Sequence, residues 1–296
     1  MDQGVNPPPQ RRASWVGRII RLVAVAAAGV FLAVPLYIGL VKAGVLPNPF
    51  APSVAGDLEL ARSDRAGLRI LFVGNSLTYE NSIPTLVHKL AEKDEGAPPI
   101  FAVQYTAPSW TLRRASEDDG LAALLKEVRW DVVVLQEHSA FGSRPGRPPE
   151  MYLPARALDA KIDAAGARTM LFMTWSFRDG APDVPGENFE AMHARLAWGY
   201  TYLARDLSAA LAPVGLAWAE ARRRRPEVDL WASDGRHASL AGSYLAACVF
   251  YAMLSGRDPS ASDFTAGLDE ADARFLKDVA AEVVAPYVRD ALVRGR

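Results

Sequence analysis

Five short apolar runs, separated by sequence of helical period, constrain this 296-residue chain more than any other feature. The first, Leu68 to Gly74, is a β-branched and aromatic run stopped by glycine. Ile100–Tyr105, Asp131–Gln136, Thr169–Trp175 and a weaker Val214–Trp218 follow it. Between them lie helix-period stretches around Ala115–Val128, Tyr152–Ala165 and Phe189–Leu211. A strand that reaches its neighbour only after a helical crossover pairs with it in parallel, and helices then cover both faces of the sheet. The expected fold is α/β, a three-layer sandwich around a five-stranded parallel sheet.

Two further helices are expected after the fifth run. Ser239–Leu254 carries Leu240, Tyr244, Leu245, Cys248 and Val249, and Ala271–Val293 closes the chain. No internal repeat breaks the pattern, so residues 68–296 read as one domain. Half of all residues are hydrophobic, enough for a sizeable core. With 33 basic against 34 acidic residues, the chain offers no global field for a polyanion, which argues against nucleic-acid binding. Cys248 is the only cysteine, so no intramolecular disulfide can form. The four histidines are scattered without ligand spacing, which argues against a zinc site.

The N-terminal region has a different character. Leu22 to Val41 contains no charged residue, and at ~1.5 Å per residue a helix of that length matches a hydrocarbon core of ~30 Å. Arg11, Arg12, Arg18 and Arg21 precede it and only Lys42 follows closely, so the positive-inside bias keeps the N-terminus cytoplasmic. We expect a cytoplasmic disordered tail over 1–21, a transmembrane anchor over 22–41, a proline-stiffened linker over 42–67, and a folded domain outside the cytoplasm. The membrane is then a partner of the chain through this single-pass helix.

Chemistry concentrates in two segments. Gly74-Asn75-Ser76-Leu77-Thr78 ends the first strand with a serine, and a helix follows, with Ser82 as a cap, Pro84 in the first turn, and Ile83, Leu86, Val87 and Leu90 on one face. Far downstream, Asp234-Gly235-Arg236-His237 sets a carboxylate three residues before an imidazole. Serine is a poor nucleophile until a base takes its proton, and the base works best when a carboxylate fixes its tautomer. Ser76, His237 and Asp234 are therefore the candidate triad.

The strand ends at Ser76, at Thr106–Trp110 and at Gln136–Ser139 should open on one carboxyl edge, where open α/β sheets bind ligands. A tetrahedral intermediate needs donors aimed at its oxyanion. The Ser76 amide, the Ser109 amide and the Gln136 side chain are the candidates. Asn75 is expected to fix the turn that carries Ser76 and is also a candidate substrate-binding residue, and Trp110 and Trp231 are candidate substrate-binding faces. Glu137, His138 and Ser139 read as loop residues. The basic run Arg222–Arg225 reads as a solvated helix end or a contact to lipid head groups.

In these segments the chain resembles the SGNH, or GDSL-like, hydrolase superfamily of esterases and lipases, over roughly Arg69 to Leu254. The resemblance maps the family nucleophile onto Ser76 and the closing Asp-x-x-His block onto Asp234 and His237. It departs from the family at Asn75, where aspartate is usual, at Ser109, where the second block has glycine, and at Gln136, the nearest equivalent of the third-block asparagine. Gly-x-Ser-x-Gly is absent, which counts against an α/β-hydrolase fold. The resemblance implies a flavodoxin-like fold and a serine esterase needing no cofactor. Its substrate would be a small-molecule or glycan ester, either a carbohydrate O-acetyl group or a small acyl lipid. A non-catalytic carbohydrate- or lipid-binding module on the same fold is the alternative.

Overall fold

A computed structural model describes residues 50–139 and 150–294, together with Leu40 and Asn48. The anchor at 22–41 and the tail at 1–21 lie outside the described residues, apart from Leu40. Among the described residues no helix is long and apolar enough to cross a membrane.

Six strands form one sheet: β1 (Ser53–Gly56), β2 (Leu68–Gly74), β3 (Ile100–Thr106), β4 (Val132–Leu135), β5 (Arg168–Phe172) and β6 (Ala210–Ala212). Their spatial order is β1-β3-β2-β4-β5-β6, parallel throughout except for β1, which runs antiparallel to β3. Ten α-helices accompany them among the described residues: α1 (Leu58–Arg62), α2 (Ser76–Tyr79), α3 (Ile83–Glu92), α4 (Leu112–Ser116), α5 (Asp119–Glu127), α6 (Tyr152–Ala164), α7 (Phe189–Leu207), α8 (Val214–Arg224), α9 (Leu240–Ser255) and α10 (Glu270–Arg294).

The central strands are apolar on both faces because both faces are covered. In β2, Ile70 and Phe72 enter a core shared with α3, α8, α9 and α10, while Leu71 and Val73 enter the opposite core with α4, α5, α6 and α7. Phe250 of α9 meets Phe72 and Phe172 edge-on at 5.0 and 4.8 Å, contacts each worth about 0.5–1.5 kcal/mol beyond their buried area. Every residue of α9 from Gly242 to Met253 is buried, which explains why its sequence lacks a polar face. Cys248 lies in this layer, and burial pushes its thiol up to about 12, so it stays a neutral packing group.

Three expectations are corrected. The sheet is mixed and six-stranded rather than parallel and five-stranded. Its additional strand, β1, falls with α1 inside the stretch 42–67 assigned to the linker. β1 is short and exposed along its whole length, so it carries no apolar alternation to betray it. The last strand is Ala210–Ala212 rather than Val214–Trp218. Left-handed Ser208 ends α7, Ala210–Ala212 pair with β5, and Val214, Ala217, Trp218 and Ala221 then recur at helical spacing within α8.

The charges also find local partners. Arg222, Arg223, Arg224 and Arg225 end α8, where cations suit the helix dipole, and each faces a carboxylate, from Glu190, Glu220, Glu282, Glu227 or Asp272. That pairing gives a local account of the basic run. Without β1 the parallel strands follow the flavodoxin-like order, in which the chain leaves β2 for β3 on one side and returns to β4 on the other. The crevice beyond the carboxyl ends of β2 and β4 is the topological switch point, where such sheets bind ligands. Ser76 and Gln136 both emerge there.

Candidate active site

The nucleophile turn follows from how β2 ends. Asn75 is extended and caps the four-residue α2, its Oδ1 accepting from Leu77 N at 3.1 Å. Ser76 is then the first helical residue, with a half-buried hydroxyl at the crevice.

The histidine loop is built separately and locally. Asp234 Oδ1 accepts from the backbone amides of Arg236 (2.9 Å) and His237 (3.0 Å), an Asx turn that Gly235 completes at φ +68°. Trp231 and Ala238 bridge across its base, and Ala232 N donates to His237 O at 2.8 Å. Two outside bonds seat the loop. Trp175 Nε1 donates to Arg236 O at 2.9 Å, and Arg178 N donates to Gly235 O at 2.8 Å. From the nucleophile side, Asn81 in a left-handed conformation (φ +53°) donates through Nδ2 to Ala238 O at 3.1 Å and Ser243 Oγ at 3.0 Å.

These supports bring the three predicted residues into one chain of hydrogen bonds. His237 Nε2 lies 2.8 Å from Ser76 Oγ, and His237 Nδ1 lies 2.5 Å from Asp234 Oδ2. Burial pushes the Asp234 carboxyl upward, but hydrogen bonds from Arg236 N, the His237 ring and His237 N outweigh it and hold it at about 2. An ionised carboxylate only accepts, so Nδ1 carries the ring proton and Nε2 turns its lone pair to the Ser76 hydroxyl.

Gln136 does not offer an open oxyanion donor. It is 1% exposed, its Oε1 accepts from Asn75 N (2.7 Å) and Thr78 Oγ1 (2.9 Å), and its Nε2 donates to Asn75 Oδ1 (3.1 Å) and Glu137 O (2.8 Å). Both amide hydrogens are spent, and reversing the amide would set its NH2 against the Asn75 N–H. Gln136 is a strut under the nucleophile turn. Asn75 is fully buried rather than open to a substrate: its Nδ2 donates to Trp110 O at 2.8 Å and ties the Ser109 turn to its own.

Ser109 is exposed at the tip of that turn with φ +52°, the left-handed region that favours glycine. Among the described hydrogen bonds neither the Ser76 nor the Ser109 amide has a protein acceptor. The two tryptophans are not open substrate faces. Trp110 is 5% exposed and packs on Tyr105, while Trp231 is 6% exposed, meets Trp218 and Phe189 edge-on, and donates Nε1 to Ser176 O at 3.0 Å.

Sequence reasoning missed Thr78, Asn81, Trp175 and Arg178 as supports, because each acts through a partner far away in the chain. It also placed Glu137 and His138 in an inert loop. His138 is half-buried and close enough to His237 and Arg236 that, after burial, their charges lower its pKa further.

A serine, a histidine and a carboxylate in one hydrogen-bonded chain on the switch-point edge of a flavodoxin-like sheet form the type of constellation that serine hydrolases use. No family model and no curated protein matches the sequence. Among solved structures, a protein from Slackia heliotrinireducens, assigned provisionally as an SGNH hydrolase, is 29% identical over 62% of this chain and 97% of its own, with a TM-score of 0.53. A DUF4886 family protein from Bacteroides uniformis shares the fold at 17% identity, over 74% of this chain and 95% of its own, with a TM-score of 0.61. The resemblance to the SGNH, or GDSL-like, hydrolase superfamily holds in three dimensions, and at that level it supports a hydrolase.

Proposed function

We propose that this chain is a serine ester hydrolase. The observation that carries the reading is the unbroken relay from Ser76 Oγ to His237 Nε2 (2.8 Å) and from His237 Nδ1 to Asp234 (2.5 Å). In the forward step His237 takes the Ser76 proton as Oγ attacks the ester carbonyl. The tetrahedral intermediate collapses as the imidazolium returns that proton to the leaving alkoxide, giving an alcohol and an acyl-enzyme. Water, deprotonated by the same ring, then attacks the acyl carbon; the second tetrahedral intermediate collapses with cleavage of the Oγ–acyl bond, releasing the carboxylic acid as the imidazolium returns its proton to Ser76.

The Ser76 and Ser109 amides are the oxyanion donors in this reading, each worth about 3–4 kcal/mol to the transition state. With Gln136 spent as a strut, they carry that task without its side chain. In this reading the substrate is a small ester, a carbohydrate O-acetyl group or a small acyl lipid. The uncharged stretch from Leu22 to Val41 anchors the chain in the cell membrane, with the hydrolase domain on the outer side.

Treating the full-length chain with a serine-directed phosphonate tests the reading. Stoichiometric labelling that Ser76→Ala abolishes is the expected result, and folded wild-type protein that takes up no label refutes it. Extraction of the anchor by alkaline carbonate would refute the membrane assignment independently. A panel of acetylated glycans and short acyl esters then separates the two substrate classes.

A further inference from the structure

Glu137 is a carboxylate where a packed loop has little reason to keep one. Its residue is 2% exposed, and its two oxygens serve two different segments: Oε2 accepts from Leu112 N at 3.1 Å and Oε1 accepts from His138 N at 2.7 Å. Leu112 opens α4, three residues after Ser109. The other end of the same turn is held by the bond from Asn75 Nδ2 to Trp110 O, and the turn is closed by Trp110 N donating to Ala107 O at 3.3 Å. Ser109 is in the left-handed region that favours glycine, and such a backbone persists only where its surroundings over-determine it.

We propose that Glu137 is a positioning residue whose carboxylate clamps the Ser109 turn to the end of β4 and so keeps the second oxyanion donor aimed at the ester. The inference rests on the serine-hydrolase reading of Ser76 and deepens it. Only the ionised form serves both amides fully. A protonated carboxyl turns one oxygen into a hydroxyl, a poorer acceptor, and one of the two segments is released.

Burial pushes this carboxyl up to about 7, against the pull of the His138 and Leu112 amides; Glu150 adds to the rise and Arg113 on α4 opposes it. The Tyr200 hydroxyl faces it from α7, and His138 stands beside it on its own loop. The sign for stability is informative. The folded state holds this proton more tightly than the unfolded chain, whose value is 4.5, so stability falls as pH rises from about 4.5 to about 7. A charge kept at a cost to the fold, beside a reacting centre, is the pattern of a functional group rather than of a stabilising one.

The test is the rate of phosphonate labelling of Ser76 in the full-length chain as a function of pH. If the clamp works only when Glu137 is ionised, the logarithm of the rate climbs with a slope above 1 on the limb just below about pH 7. Glu137→Gln should reduce that slope to 1 and lower the plateau rate at least about tenfold. Leu112→Pro removes the clamped amide of that turn at a first helical position, where proline is tolerated after the extended Thr111, and should likewise bring the slope down to 1 and lower the plateau. This second variant carries the test if Glu137→Gln fails to fold. A wild-type slope of 1 throughout, or a folded Glu137→Gln or Leu112→Pro protein that keeps the steep limb and the full rate, overturns the inference while leaving the hydrolase standing. A folded wild-type chain with no labelling at any pH overturns both.

Discussion

Replacing Asp234 by asparagine changes one atom's role and leaves the shape of the loop alone. In the native loop Oδ1 accepts from Arg236 N and His237 N, and Oδ2 accepts from His237 Nδ1. An asparagine keeps its carbonyl oxygen toward the two backbone donors, which sets its NH2 against Nδ1. The ring must then carry its proton on Nε2, facing the Ser76 hydroxyl, and no base remains. Turning the amide over would surrender both backbone bonds, each worth about 1 kcal/mol, and set N–H against N–H, a total of roughly 2–3 kcal/mol. At 1.36 kcal/mol per decade, the productive tautomer falls to about 1%. Loss of the charge that stabilises the imidazolium adds further decades, so the acylation rate should fall by about 10³–10⁴, as tautomer reversal does in triads of this kind. The melting temperature should stay within a few degrees, because Oδ1 still caps the turn. Labelling by phosphonate and turnover of a chromogenic acetyl ester read the same number. A folded Asp234→Asn protein that keeps more than about a tenth of either rate would refute the assignment of the orienting carboxylate.

Two further predictions probe the frame around the site. A methyl group at Gly74 would stand 2.3 Å from Gln136 Oε1 and 2.8 Å from Thr78 Oγ1, so Gly74→Ala must displace the strut and strand the Asn75 amide. We expect roughly 3 kcal/mol of destabilisation, a melting point lower by about 6–12 °C, and slower labelling of Ser76, all measurable on one preparation; an unchanged melt would show that the amide can yield freely. Away from the site, Asp94 is held at about 2 chiefly by Arg257, which bonds it at 2.6 and 2.8 Å, against burial and with help from Tyr251 and Gly96 N. Its folded value lies below the unfolded 3.8, so this stability is present above about pH 4 and lost as pH falls toward 2. Urea melts across that window should cost the wild type about 2 kcal/mol more than Asp94→Asn, a figure reduced because Arg257 is partly open to solvent. Parallel losses in the two proteins would refute it.

What could be read in advance was whatever short range decides. Leu68–Gly74 is apolar at every pleat because a central parallel strand is covered twice, and that signal needs no partner to be seen. The Asp234 to His237 spacing is likewise self-contained, since a three-residue turn brings the carboxylate to the ring whatever the rest of the chain does. The edge strand β1 was hidden because all four of its residues are exposed, and β6 because three residues between a helix end and Pro213 are too few to show a period.

The amino-acid sequence alone therefore determined the α/β layering and which three side chains could form a relay, because periodicity and local turns are properties of neighbouring residues. Only the tertiary structure decided how the polar groups around them are spent. Gln136 meets Asn75 across 61 positions, and Trp110 and Trp231 turn into packed interiors. Glu137 reaches a helix 25 residues upstream. A carboxamide, an indole and a carboxylate each have several satisfactory partners in principle. Which one each takes is fixed by strand order and register, which bring backbone groups distant in the chain within hydrogen-bond reach of these side chains.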